Sequence, residues 1–139
     1  MGIDVGAVRI GVALSEGSLA LAHSTVAVDE STARLLAELA SEKGVDKIYV
    51  GLPLSLSGDR TKSTEMAADF ARELATQTPA DVFVIDERLS TVSSQRLLRE
   101  AGRNAKQSKS MIDAESARAI LDFALQSGQS AIRIGDLDA

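Results

Sequence analysis

Three acidic residues stand where an ordinary apolar core would not place them. Asp4 lies inside the apolar opening run Met1–Val5, Glu87 follows closely on the apolar stretch Val82–Ile85, and Asp113 opens the last segment of helical periodicity. A carboxylate taken out of water needs a cation, a hydrogen-bond donor or a proton. The chain has no Cys, and His23 is its sole imidazole. Thiolate and His-rich sites are therefore excluded. Any metal would be held by oxygens, which favours Mg²⁺ or Mn²⁺. Binding a hard cation at strand ends, where open α/β sheets collect their ligands, is the chemistry open to these residues.

Each acid also has a plainer reading. Asp113 can cap a helix or close a capping box with Ser110. Glu87 can be an exposed strand end or pair with Arg88 or Arg60. Asp4 can cap a turn through the amides of Gly6 and Ala7. Asp86 and Glu87 point to opposite faces of a regular strand, so only one of them faces Asp4. Local pattern leaves open which.

The elements that must position these residues follow from periodicity. Met1–Val28 is rich in β-branched and apolar residues, and Gly17-Ser18 divides Ile10–Leu14 from Leu19–Val28. That predicts a short strand followed by a hairpin. Asp29 or Ser31 then caps a helix carrying Ala33, Leu35, Leu36, Leu39 and Ala40, which Gly44 stops. Lys47–Leu54 and Asp81–Ile85 read as buried strands, apolar on both faces, and Ser63–Thr76 between them as a helix. Ser90 caps a third helix ending at Gly102, and a polar loop, Arg103–Lys109, leads to a last helix over Met111–Ser127. The order β-β-β-α-β-α-β-α-α predicts an α/β fold, one domain over 1–139, with a mixed five-stranded sheet and helices on both faces. Ile132 and Ile134 either add a small edge strand or pack down.

Charge is unevenly distributed. The chain carries a net −5, yet between Arg88 and Ile112 six basic residues face one acid, for +5, while the remainder holds nine basic and nineteen acidic residues, for −10. A basic stretch on an acidic body suits a phosphate-binding surface, because counterion release depends on local contacts. A solvated helix face is the plainer alternative. Aromatics are only 3% of residues, so stacking platforms for bases are scarce. No apolar stretch nears the ~20 residues of a membrane span, and no leader-like segment opens the sequence. A cytosolic protein is expected.

Four segments together resemble the YqgF (RuvX-type) family: GIDVGAVRIGVALSE at 2–16, VGLPLSLSGDRT at 50–61, DERLST at 86–91 and IDAESA at 112–117. They occur in the family's order and span nearly the whole chain. The resemblance implies an RNase H-like fold and a nuclease of structured nucleic acid. Its activities would be maturing the 5′ end of precursor 16S ribosomal RNA in ribosome biogenesis, or resolving Holliday junctions. It carries the family's acidic site onto Asp4, Glu87 and Asp113, which selects Glu87 over Asp86. Mg²⁺ or Mn²⁺ ions there would activate water and stabilise the leaving oxyanion. Arg9, after the first strand, and Arg88 would clamp phosphate with their guanidinium forks, unless they pair with Glu16 or Asp86. Lys106 and Lys109 would hold the backbone further along, with Arg60 a weaker contact. His23 reads as a strand residue. Two departures stand out. Glu16 replaces the family's usual Asp, and family members usually carry several residues before the first block, which predicts a shortened central strand here.

Two other classes remain open at this point. The strand–turn–strand opening is also similar to the phosphate-binding start of sugar kinases and actin-like ATPases, but those clasp nucleotide between two domains, and no G-x-x-x-x-G-K-[ST] loop is present. A non-catalytic nucleic-acid-binding module is the other alternative; carboxylates facing phosphate argue against it. Junction cleavage would call for a homodimer with paired sites. The choice between RNA and branched DNA is not written in the sequence.

Overall fold

The computed structural model describes residues 1–90 and 105–139, and for 105–111 the course of the main chain only. Strands β1 (Gly2–Val5), β2 (Arg9–Glu16) and β3 (Leu19–Ala27) form an antiparallel meander, turned between β2 and β3 by Gly17 at φ 60°. Helix α1 (Thr32–Glu42), β4 (Lys47–Leu52), α2 (Lys62–Ala75) and β5 (Asp81–Asp86) follow. Among the described residues, α3 (Ala105–Gln126) and β6 (Ile132–Arg133) complete the fold. The sheet order is β3-β2-β1-β4-β5-β6, with β1, β4 and β5 parallel at its centre.

Side-chain alternation divides the sheet into two faces. Ile3, Ile10, Val12, Ile48, Val50 and Val84 join Leu36, Ala40, Ala67, Ala71 and Leu74 in one core under α1 and α2. Ala13, Tyr49 and Ile85 join Ala117, Ile120, Leu121 and Ala124 in a second core under α3. Residues 48–52 of β4 are buried throughout, as expected for a strand covered on both faces. Helix α2 starts one residue before Ser63. Its cap is Thr61, whose hydroxyl accepts from the Thr64 amide (3.3 Å) while the Thr64 hydroxyl accepts from the Thr61 amide (2.8 Å).

Three expectations are corrected. Among the described residues the sheet has six strands, not five: β6 pairs with β5, held where Arg133 donates to Asp81 at 2.8 Å and lies 5.3 Å over the Phe83 ring, while Ile134 enters the core. The last helix begins at Ala105 rather than Met111, so Lys106 and Lys109 are helical and not in a loop. The run from Ala105 to Ser110 contains no Gly or Pro and is dominated by good helix formers, so nothing in it breaks the helix. Asp113 consequently sits in the helix interior, and its capping-box reading falls. The expected helix from Ser90 to Gly102, with Arg96, Arg99 and Arg103, lies outside the described residues apart from Ser90 itself. Among the described residues no helix is long and apolar enough to cross a membrane.

The end of the chain is fastened by charge. Arg60 donates to both oxygens of Glu65 (2.7 and 2.9 Å) and to Asp138 (2.6 Å), which also pairs with Arg72. Arg60's hydrogen bonds, ahead of its charge, hold the Glu65 and Asp138 carboxyls below the usual carboxylate range. A depressed folded-state pKa stabilises the fold above the ordinary carboxylate range, and that contribution is lost as pH falls through the depressed value. Arg60→Gln should therefore raise both titration midpoints, read by carboxyl NMR. Its stability should lie below the wild type at neutral pH and converge with it in acid.

Candidate active site

The site is built on one row of residues crossing three strands. Asp4 in β1 pairs opposite Gly11 in β2. On its other side the parallel register Gly2↔Tyr49, Ile3↔Val50 brings Asp4 level with Gly51 in β4. Two residues without side chains thus flank one carboxylate. Asp4 shares its face with Gly2 by alternation. A Cβ on Gly2 would stand 2.6 Å from the Ala117 carbonyl and 2.7 Å from Leu121 Cβ, so α3 covers this face.

The two glycines admit the other acids. A Cβ at Gly11 would overlap the main-chain carbonyl of Asp113, so α3 rests backbone-to-backbone on the strand beside Asp4. A Cβ at Gly51 would meet Ile120 Cδ1 at 2.5 Å and Glu87 Oε2 at 3.4 Å, which puts the Glu87 carboxylate over the neighbouring strand. Adjacent strands are about 4.8 Å apart. Asp4, Glu87 and Asp113 are thus gathered on one sheet face, at the end where β1 and β5 finish. All three are buried, with exposures of 6, 4 and 6%.

Glu87 reaches this face because β5 ends in a turn. Asp86 leads into the short 3₁₀ turn Glu87–Leu89, its side chain accepting from the Arg88 amide at 2.9 Å. Ser90 closes the turn by donating to the Glu87 carbonyl at 2.8 Å. Glu87 keeps the parity of Phe83 and Ile85 and faces α3, while Asp86 turns to the Arg88 guanidinium. Hydrogen bonds from that guanidinium, then the Arg88 amide, hold the Asp86 carboxyl below its usual range. The Gly6 amide, a suggested partner for Asp4, donates instead to the Arg9 carbonyl at 2.9 Å.

The expected phosphate contacts divide. Arg9 comes to the carboxylates: its Nε donates to Asp113 Oδ2 at 2.8 Å, and its side chain stays about one-third exposed (34%). Arg88 is engaged elsewhere, by Asp86 (2.6 Å) and by the carbonyls of Ser55 (3.4 Å) and Leu56 (3.3 Å). Arg60 is committed to Glu65 and Asp138. Lys106 and Lys109 lie in α3 about two turns and one turn before Asp113, respectively. Sequence reasoning gave Gly11 and Gly51 no role. Their signal was a glycine within each of two strands otherwise rich in apolar residues, which marks close approach of another chain segment.

Hard oxygen donors without imidazole or thiolate fit Mg²⁺ or Mn²⁺ in chemistry. Among the described residues, however, no three acidic or imidazole side chains are grouped tightly enough to hold an ion as they stand. The fit is therefore one of donor type and of shared face, with Arg9 holding Asp113.

Residues 1–127 match the family described as RuvX: Holliday junction resolvase. A protein of Leifsonia xyli subsp. xyli named "Putative pre-16S rRNA nuclease" is 46% identical over 137 residues, covering 96% of this chain and 88% of its own length. A protein of the same name from Clavibacter michiganensis is 42% identical over 136 residues, covering 94% and 84%. In three dimensions the chain is similar to T. thermophilus RuvC in complex with Holliday junction substrate, with a TM-score of 0.58 over 95% of this chain and 96% of that one. At 14% identity that likeness is one of fold, and it bears out the RNase H-like architecture.

The two glycines should differ in their tolerance of a methyl group. Gly11→Ala forces apart two main chains, whereas Gly51→Ala meets chiefly the movable end of Ile120. Urea denaturation should show Gly11→Ala losing about 3 kcal/mol or more and Gly51→Ala about 1 kcal/mol. Equal losses would contradict the backbone contact.

Proposed function

The chain belongs to the RuvX family of Holliday junction resolvases, and from that membership and its buried acids we propose that it hydrolyses phosphodiester bonds in structured nucleic acid with a divalent cation held by Asp4, Glu87 and Asp113. The single observation that carries this reading is the burial of three carboxylates on one sheet face, beside two glycines that let a helix and a strand end close on them. The names of the relatives support precursor 16S rRNA as substrate, and in this reading the role is maturation of its 5′ end in the cytoplasm. The family description supports four-way DNA junctions as the second substrate.

A bound Mg²⁺ or Mn²⁺ supplies Lewis acidity toward a phosphoryl oxygen and an acidified water. Asp4, central in the row, would hold the ion together with Glu87 and Asp113. Arg9 orients Asp113 through Nε, and its two terminal nitrogens make no hydrogen bond among the described residues, so they serve a phosphate as paired donors. Burial excludes bulk water, which strengthens each of these charge interactions. Lys106 and Lys109, seven and four residues before Asp113 in the sequence, would hold the backbone of a flanking strand. Arg88 and Arg60 brace the surrounding loops and contact no phosphate in this reading.

Purified protein should cut a precursor 16S rRNA fragment or a four-way DNA junction when Mg²⁺ or Mn²⁺ is added, and EDTA should stop it. Asp4→Asn should lower the rate by at least about a thousandfold, or roughly 4 kcal/mol in barrier, with an unchanged circular dichroism spectrum. An Asp4→Asn protein cutting at the wild-type rate would refute the site. Wild-type protein that binds both probes and cuts neither would leave the binding-module alternative. Lys106→Ala/Lys109→Ala should weaken binding and reduce the magnitude of its log–log salt slope by about 1–2.

A further inference from the structure

Ser116 is wholly buried, at 0% exposure, and its hydroxyl makes no hydrogen bond with any described residue. A serine inside a helix ordinarily bonds back to the carbonyl four residues before it, here that of Ile112, and this one does not. An unsatisfied hydroxyl in an apolar interior destabilises the fold, and alanine would occupy the position without that penalty. The serine therefore calls for a partner beyond the protein's own groups.

The close contacts of α3 place the hydroxyl. The Asp113 carbonyl rests at Gly11 and the Ala117 carbonyl at Gly2. Gly11 is level with Asp4 in the sheet, and Gly2 lies two residues down the strand. One turn of α3 thus matches two residues of β1, so the helix runs antiparallel to the strand with its start toward the acids. Ser116 falls within that turn. Leu121 stands over β1, whereas Ile120 reaches β4 at Gly51, where Glu87 Oε2 also lies. Ser116, four residues before Ile120, shares its flank, and helical side chains tilt toward the helix start. Its hydroxyl is therefore directed between Asp4 and the Glu87 carboxylate, at the level of the carboxylate row.

Acids grouped too loosely to grip an ion leave part of its shell to water, and Mg²⁺ in particular keeps several of its waters. A hydroxyl offers one donor and two acceptor positions. Resting on the metal-dependent reading above, we propose that Ser116 is a positioning residue of the cation site, whose hydroxyl accepts from a water in the shell of Mg²⁺ or Mn²⁺ and donates to the Glu87 carboxylate. Being neutral, it orders that water without adding charge to a face that already buries three carboxylates.

The test uses the full chain with Mn²⁺ as the probe, its binding read from the EPR signal of the unbound ion, beside thermal melting in EDTA. Wild type should bind Mn²⁺ and Asp4→Asn should lose it. Ser116→Ala should melt about 4 °C above wild type in EDTA, because an unsatisfied hydroxyl is gone, yet bind Mn²⁺ about tenfold more weakly. Ser116→Cys, close in volume but a poor donor and acceptor, should bind as weakly. The Mn²⁺ concentration for half-maximal cleavage should rise by the same factor in both. A merely structural serine would not move stability and affinity in opposite directions. Affinities within twofold of wild type in both variants overturn the assignment, as does a lower melting temperature of Ser116→Ala in EDTA. Failure of the metal site itself looks different: wild type then binds Mn²⁺ no better than Asp4→Asn, and the role of Ser116 falls with it.

Discussion

Close contact between α3 and β2 is the constraint on which the site depends. Asp113 can lie beside Asp4 only because Gly11, the cross-strand partner of Asp4, has no side chain to hold the helix off. Any Cβ there would lift α3, and with it Ala117, Ile120 and Leu121, from the second core. The same strand row places Gly51 on the other flank, where Ile120 and the Glu87 carboxylate take the space. Site and core are thus one packing problem. The carboxylates cannot be spread apart without opening the apolar layer beneath α3.

Gathering acids on a buried face raises an electrostatic cost, and the chain meets part of it with Arg9. The Arg9 guanidinium pairs with Asp113 at 2.8 Å while remaining partly exposed to water. Two further arginines described near the strand ends serve a different purpose. Arg88 ties the Glu87 turn to the loop after β4, and Arg60 ties that loop's far side to α2 and to the chain's end. Guanidinium groups suit such bracing because several donors are held in one plane and satisfy carboxylate and carbonyl oxygens together. Net acidity of −5 is compatible with a phosphate-binding surface because, along the sequence, positive charge is concentrated between Arg88 and Ile112 and the rest of the chain carries the excess of negative charge.

Much of this was legible in the order of residues. Periodicity marked the three-stranded meander, the buried strands β4 and β5 and helices α1 and α2, because alternation and 3.6-residue spacing are local signals. Asp4 stood out because an acid inside an apolar strand has few neutral explanations, and four ordered segments indicated the family and its RNase H-like fold. Folding alone decided the rest. The start of α3 at Ala105 was hidden, since a polar helical stretch looks like a loop. The sixth strand was left undecided, because two residues carry no period; its pairing with Phe83 and Val84, and the contacts of Arg133 with Asp81 and Phe83, are long-range. Which arginine meets the acids depended on distances across strands: Arg9 reaches Asp113 over 104 residues of sequence, whereas Arg88 turns back to Asp86 two residues away. Sequence by itself determined the kinds of donor available and the faces they occupy. Only tertiary packing decided that two glycines bring those donors together, because close approach of main chains leaves no pattern in a single strand.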